Sequence, residues 1–298
     1  EDLSDEKRLK SSMSRYLSKD IVDQVMDGGL DALGGTDQEV SVLFSDIRSF
    51  STISEELSAA DIVEMLNDYF TRMVDEIFAN SGVLDKFIGD AIMAIFGTPF
   101  PAPGDADASV RAAIGMYRGL DQMNAERAAR GQAAIRMGVG VNSGRAVVGN
   151  IGSPKRMEYT VIGDAVNLAA RVEGLTKYYG VEILVTEGTR RLLSIDTPMR
   201  ELDLIAVKGK DHPDVIHEII RPDGPSAMLK HPGALAHFDA AVAVYRAQDW
   251  SNAVERFQAL SVLAPNDRPT EIYIERAKAF LASPPPGDWD GVWRFDTK

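Results

Sequence analysis

Hydrophobic positions change their period several times along the chain, and each change marks an element. Between residues 59 and 80 the apolar set Ile62, Met65, Leu66, Tyr69, Phe70, Met73 and Ile77 recurs every three or four residues, which predicts an amphipathic helix. The stretch EVSVLFSDI, Glu39 to Ile47, is instead rich in β-branched and aromatic residues and predicts a strand that ends at Asp46. VLDKFIGDAIMAIFG (83–97) reads as two strands joined at Gly89-Asp90, a hairpin. Helices are predicted over about 107–130, 164–179 and 187–195, and a strand over 181–186. A strand pair is expected within 134–151, a less regular stretch over 152–160, and a closing hairpin across 200–220 around Gly209. Ahead of these, Ser18 is a candidate N-cap for a short helix at about 18–27, with Ile21, Val22, Val25 and Met26 on one stripe and Gly28-Gly29 as its stop. Intermixed strands and helices, with hairpins among them, predict an α+β fold built on one mostly antiparallel sheet.

The pattern shifts again after residue 221. The segment 222–233 is rich in Pro and Gly and reads as a linker, followed by helical stretches at about 234–248, 251–264 and 269–282. Ala234, Phe238, Tyr245, Trp250, Ala253, Phe257 and Pro265 have a spacing that resembles one and a half tetratricopeptide repeats. So few repeats do not bury their own apolar face, so this piece is expected to pack on the domain before it, with its aromatics forming helix–helix core. The expected organisation is a lead-in and coupling helix at 1–35, a main domain at 36–221, the linker, and a helical extension and tail at 234–298.

Charge and composition remove several function classes. The chain has 298 residues, 45% of them apolar, with 32 Lys plus Arg against 45 Asp plus Glu, a net charge of −13 that lies almost wholly before residue 224. Nucleic-acid binding rests on Lys and Arg neutralising phosphates, so no nucleic-acid partner is expected. There is no cysteine, which excludes disulfides, thiolate metal sites and cysteine nucleophiles and agrees with a cytoplasmic setting. The four histidines, His212, His217, His231 and His237, form no recognisable metal-ligand motif. No membrane-length apolar run or signal peptide is visible. The sequence begins at Glu1 rather than Met, which raises the expectation of an upstream part carrying a sensor or membrane segment.

Two carboxylates stand out by position. Asp46 closes an apolar strand in FSDIRSF, and Asp90 sits on the hairpin turn in DKFIGDAIMAIFG. Carboxylates at neighbouring strand ends can converge on a divalent cation as hard oxygen ligands. After Asp46 the chain runs through Arg48, Ser49, Phe50 and Ser51 toward a helix, where backbone N–H groups can cradle a polyphosphate. Asp164, at the start of the helix predicted at 164–179, reads as its N-cap rather than as a catalytic group.

The segments FSDIRSF, LDKFIGDAIMAIFG, VNSGRAVVGNIGS and YTVIGDAVNLAARVE, in this order, resemble the catalytic core of class III nucleotidyl cyclases over about residues 36–220. The resemblance implies a ferredoxin-like, palm-type antiparallel sheet flanked by helices, with the C-terminal helical extension added to it. It implies that Asp46 and Asp90, with the backbone carbonyl of Ile47, hold two Mg²⁺ or Mn²⁺ ions per active site. It further implies that Asn167 orients the ribose of the nucleotide, that Arg171 stabilises charge on the reacting phosphate, and that Arg145 and one of Lys208 or Lys210, with Lys208 preferred, contact phosphate beside the Phe50–Ser51 backbone read above as a substrate-binding cradle. Lys86 and Thr160 match the purine-reading positions. A Lys donor suits adenine N1 and a hydroxyl can accept from the adenine amino group, whereas guanine calls for an acidic acceptor at the first position, so ATP is the expected substrate and cyclic AMP the product. The Lys-plus-Thr pairing also resembles a subgroup that includes bicarbonate-responsive cyclases, which makes bicarbonate regulation an expectation to test. Because the family's sites form between two catalytic domains and this chain carries one copy of both residue sets, a homodimer is expected. The alternatives are a guanylyl or dual-specificity cyclase, and a catalytically silent regulatory module.

Overall fold

The computed structural model describes Val22 and residues 34–153, 155–206 and 213–295. The helix expected at 18–27 lies outside the described residues apart from Val22, which is helical and buried. From Gly34 onward the order is β1 (Gly34–Ile47), α1 (Phe50–Glu56), α2 (Ala59–Ala79), β2 (Val83–Ile88), β3 (Ala91–Phe96), α3 (Asp105–Ala129), β4 (Met137–Ser153), β5 (Arg156–Ile162), α4 (Asp164–Tyr179), β6 (Ile183–Thr186), α5 (Glu187–Arg190), β7 (Met199–Ala206) and β8 (Asp214–Ile219). The C-terminal part adds α6 (Ala234–Arg246), α7 (Trp250–Leu263), α8 (Arg268–Ala282) and a two-residue strand β9 (Trp293–Arg294).

All strands join one nine-stranded sheet in the order β2-β3-β1-β4-β6-β8-β7-β9, with β5 paired to the far end of β4. The α+β reading holds: among the described residues every pairing is antiparallel except β4 with β6 and β7 with β9. Three local expectations need correction. The strand pair within 134–151 is one strand, β4, which runs through Gly144 without a turn because it stays in register with β1 from Met137 to Asn150. The stretch 152–160, expected to be less regular, contains most of β5, which folds back on β4 as a hairpin. The helix expected at 187–195 stops at Arg190 after a single turn.

Period explains the two principal faces. Helix α2 starts at Ser58, whose hydroxyl accepts from the Asp61 N–H as an N-cap, and buries Met65, Tyr69, Met73 and Ile77 from its apolar stripe. Together with α3 it covers one sheet face over Leu43, Ile92, Val139 and Val141. Helix α4 lies against β4, where Ala165 and Ala169 meet Val40, Val42 and Val148.

The C-terminal helices share a core with the main domain, as expected for too few repeats to stand alone: Phe238, Tyr245, Phe257 and Tyr273 join one apolar cluster with Leu202, Ile205, Val172 and Tyr179. Strand β7 sends two buried charges into this joint. Arg200 pairs with Glu218 at 2.6 Å and with Asp267, the N-cap of α8, at 2.7 Å. Asp203 receives Arg276 of α8 at 2.6 Å and the Tyr179 hydroxyl at 2.5 Å. The Arg276 guanidinium also stacks 3.7 Å from the Trp293 ring centroid, so the tail strand is held by the same side chain. No helix among the described residues is long and apolar enough to cross a membrane.

Candidate active site

Strand β1 delivers Asp46 to the edge of the sheet, and the β2–β3 hairpin delivers Asp90 beside it. That hairpin turns on Gly89 at φ 66°, a left-handed conformation that costs glycine nothing and a β-branched residue a great deal. The two carboxyl groups come within hydrogen-bonding reach of each other, and Asp90 Oδ2 is buried without a hydrogen-bond partner. Burial, followed by the hydrogen bond and charge of Asp90, pushes the Asp46 carboxyl up to about 6. A carboxyl whose proton affinity is raised by its neighbour, beside an unsatisfied buried oxygen, fits a hard divalent cation, which would relieve both. The adjoining Ile47 is buried in the core, which fixes its backbone. Among the described residues no cluster of three or more acidic or histidine side chains has the geometry of a metal cage.

Three charged residues stand near this pair; Glu173 and Arg136 escaped sequence reasoning, and Arg48 was read only for the backbone of its loop. Glu173 on α4 is pushed up to about 7, first by burial and then by the charges of Asp46 and Asp90, with Arg48 opposing them. Its carboxylate sits over Gly138, the β4 residue directly opposite Asp46; a Cβ there would lie 2.9 Å from Glu173 Oε1 and 3.0 Å from Arg48 Nη2. Arg48 is half-buried, and its Nη2 donates to the Val181 carbonyl at 3.1 Å. Arg136 is exposed at the start of β4, where its carbonyl accepts from the Arg48 N–H at 2.7 Å, so it flanks the carboxylate pair. These contacts come from strand register and helix packing, and local motif spacing does not show them.

The expected phosphate and base residues fall in different places. Ser49 adopts a left-handed turn (φ 57°) that carries the chain from Asp46 into α1; Phe50 packs on the core and Ser51 is exposed in the first turn. Arg145 is not brought to the carboxylate pair within one chain. It pairs with Glu39 in the β1–β4 register, seven positions before Asp46, and makes an exposed ion pair with Asp37 at 2.8 Å. Lys208 and Lys210 lie outside the described residues. Lys86 and Thr160 are brought to one neighbourhood: Lys86 Nζ donates to Glu158 Oε2 at 2.9 Å, and Glu158 and Thr160 stand on the same strand, β5. Thr160 is buried.

Asn167 and Arg171 follow each other by one turn on α4; Asn167 is exposed, and Arg171 Nη1 is enclosed without a hydrogen-bond partner. The helix N-cap is Gly163 rather than Asp164, which occupies the first helical position and still places an acid at the positive end of the helix. Arg171 and Glu173 are two residues apart, roughly 200° around a helix of 3.6 residues per turn. Glu173 interacts with Asp46 of its own chain, and Arg171 stands roughly 160° and Asn167 roughly 120° around the helix from it.

A family model describing the adenylate and guanylate cyclase catalytic domain matches residues 35–219. The chain belongs to the class III nucleotidyl cyclase family. An adenylate cyclase of Dictyostelium discoideum, named as terminal-differentiation specific, is 34% identical over 274 residues, covering 90% of this chain. The chain spans only 13% of that relative's length. Among solved structures, the adenylyl cyclase CyaB from P. aeruginosa is 35% identical, covering 63% of this chain and 96% of its own, with a TM-score of 0.59. The guanylyl cyclase Cya2 is 34% identical, covering 64% of this chain and 98% of its own, with a TM-score of 0.57. Likeness to an adenylyl and to a guanylyl enzyme is thus nearly equal, and the cyclase fold by itself does not choose the base.

Proposed function

We propose that this cyclase domain is an adenylyl cyclase, converting ATP to 3′,5′-cyclic AMP and pyrophosphate in sites shared by two copies of the chain. The observation that carries the reading is the pair Asp46 and Asp90, face to face with a buried and unpartnered oxygen at the end of β1. Asp46, Asp90 and the Ile47 carbonyl would hold two Mg²⁺ or Mn²⁺ ions, which supply acidification of the ribose 3′-hydroxyl and neutralisation of the triphosphate. The 3′-oxygen bonds to the α-phosphorus as the bond to the bridging oxygen of pyrophosphate breaks, and the hydroxyl proton leaves to solvent. Arg171, whose Nη1 lacks a partner, is suited to the charge that builds on the α-phosphate, with Asn167 one turn away to orient the ribose. Phe50 and Ser51 follow Asp46 closely in the chain and Arg136 joins the same loop through its carbonyl, so these residues would be available to a triphosphate there, whereas Arg145 would have to act from elsewhere in the dimer.

Lys86 and Thr160 support adenine over guanine, because an ammonium donates to N1 and no acidic acceptor for the guanine N1–H occupies position 86. Two-copy assembly is supported by the opposed faces of α4: a chain presents Asp46 and Asp90 to one side and Asn167 and Arg171 to another, so a complete set needs a second chain. Purified chain with Mn²⁺ and either ATP or GTP tests the reading by chromatography of products. Cyclic AMP from ATP, at a rate well above cyclic GMP from GTP, is expected. Predominant cyclic GMP overturns the base assignment, and no product from a confirmed dimer overturns the catalytic one.

A further inference from the structure

One face of β4 is almost bare. Side chains alternate along a strand, and β4 stays in register with β1 through this stretch, so Gly138, Gly140, Asn142 and Gly144 share a face. Helix α4 runs back along it. Ala165 stands over Gly144, where a Cβ would lie 3.5 Å from that of Ala165. A Cβ at Gly140 would overlap the Glu173 backbone nitrogen, and one at Gly138 the Thr176 hydroxyl. The helix thus rests on strand backbone, without the interdigitating side chains that ordinarily fix how far an element has slid along its support. Asn142 is the exception. It is 4% exposed, donates from Nδ2 to the Ala165 carbonyl at 2.8 Å, and accepts at Oδ1 from the Thr186 hydroxyl at 2.7 Å. A carbonyl can only accept, so the amide nitrogen must face Ala165, and this turns the amide oxygen to Thr186. Thr186 ends β6, the parallel neighbour of β4, and its own oxygen accepts from the Thr189 N–H at 3.3 Å.

We propose that Asn142 is a positioning residue for the reaction, setting where α4 stands along β4 and with it where Asn167 and Arg171 meet the nucleotide. This rests on the assignment of those two residues to ribose and phosphate. Ala165 is two residues ahead of Asn167 and six ahead of Arg171, so a displaced first turn carries both with it. The N-cap of α4 is Gly163, which has no side chain to make a capping bond, and the tether at Ala165 takes the place of a cap as the fixed point of that turn. A helix rises about 1.5 Å per residue, so slippage by one residue exceeds the misplacement of about 1 Å that already slows an aligned reaction. Through Thr186 the tether has a second end on β6, and the helix is referenced to two strands at once. Asn142 touches neither nucleotide nor cation in this arrangement and works only through α4.

Complementation between chains tells which half of the site Asn142 serves. At a temperature where it is folded, Asn142→Ala should lower kcat by about a hundredfold and leave the KM for Mn²⁺-ATP within about threefold of wild type. Mixed with Asp46→Asn chains, it should recover about a quarter of wild-type activity, because each mixed dimer then has one site with Asp46 and Asp90 from the Asn142→Ala chain and an unaltered α4 from the other. Mixed with Asn167→Ala chains, it should recover nothing. Hydrogen exchange of the full chain needs no turnover, and should show protection lost in residues 164–171 and kept in β1. Thr186→Val, which releases only the far end of the amide, should move every reading the same way by less, and stands in if Asn142→Ala does not fold. Recovery with Asn167→Ala rather than Asp46→Asn, unchanged exchange in 164–171, or a lowered melting temperature with normal kcat overturns the proposal and leaves Asn142 as a hydrogen bond of the core. Failure of the control mixture of Asp46→Asn with Asn167→Ala overturns the shared site instead, and an inactive wild-type chain the catalytic reading; in either case the exchange of 164–171 still decides whether Asn142 holds α4.

Discussion

Asp46 and Glu173 are held above their ordinary carboxyl values, at about 6 and about 7, chiefly by burial and by each other's neighbourhood of negative charge. The folded chain therefore binds more protons than the unfolded chain between roughly pH 4 and pH 7. The stability these two groups contribute is complete below the unfolded carboxyl range and is lost as pH rises through 6 and then 7. After allowance for the solvent that reaches the site, the loss is about 1–2 kcal/mol. Without divalent cations, the melting temperature of the wild-type chain should thus fall from pH 5 to pH 8 more than that of Asp46→Asn, which has one charge fewer to bring together. Mn²⁺ should raise the wild-type melting temperature at pH 8, have little effect at pH 5, and do little for Asp46→Asn at either pH. Thermal melts of both chains with and without Mn²⁺ check this; equal pH slopes for the two chains would contradict it. Asp46 and Asp90 were legible in the sequence because each ends or joins an apolar strand, a local signal. Glu173, Arg136 and the contacts of the Arg48 side chain were not, because what brings them to the same place is the pairing of Asp46 with Gly138 and the seating of α4 over it.

At the scale of elements, helix α4 has two tenants. Its first turns carry Asn167 and Arg171, and its last turn carries Tyr178 and Tyr179, which support the C-terminal extension: Tyr178 meets Phe295 edge-on at 5.0 Å, and Tyr179 donates to Asp203 alongside Arg276. The extension therefore braces the helix that carries Asn167 and Arg171. Replacing Arg276 with methionine leaves Asp203 buried and uncompensated, a change expected to cost about 3–5 kcal/mol, while the double variant Arg276→Met with Asp203→Asn should recover much of it. Urea unfolding of the three variants measures the difference, and an additive double variant would remove the coupling. The helices of this extension were legible from their apolar spacing, and so was their need to pack on the main domain. Their anchoring was not. Arg200, Asp203 and Arg276 look like ordinary surface charges in a linear reading, and become buried partners only when β7 and α8 meet. Strand β4 shows the converse failure: SGR at 143–145 looks like a turn, yet Gly144 passes straight through because Val40 of β1 continues the pairing opposite it.

For the whole molecule, acidity and assembly are parts of one problem. A domain carrying most of a −13 charge repels a triphosphate, so on the proposed reading binding would rely on cations drawn to Asp46 and Asp90 and on a few placed basic groups. On the proposed reading one chain would not combine these in a single site, since Glu173 interacts with its own Asp46 and Arg171 lies on another side of the same helix. A second copy related by a two-fold axis can, and then each dimer has two equivalent sites, each drawing Asp46 and Asp90 from one protomer and Asn167 and Arg171 from its partner. Mixing separates this from an independent-protomer enzyme. Asp46→Asn chains alone and Asn167→Ala chains alone should each lose all but a trace of activity, while both remain folded, because neither change touches the core. Equal amounts co-refolded should form mixed dimers as about half of the population, each with one site free of both substitutions, and so regain about a quarter of wild-type specific activity. Dilution below the dimer dissociation constant should abolish the recovered activity together with that of the wild type. An inactive mixture in which mixed dimers are demonstrated by mass would refute the shared site, and full activity of either single variant would refute the residue assignment behind it.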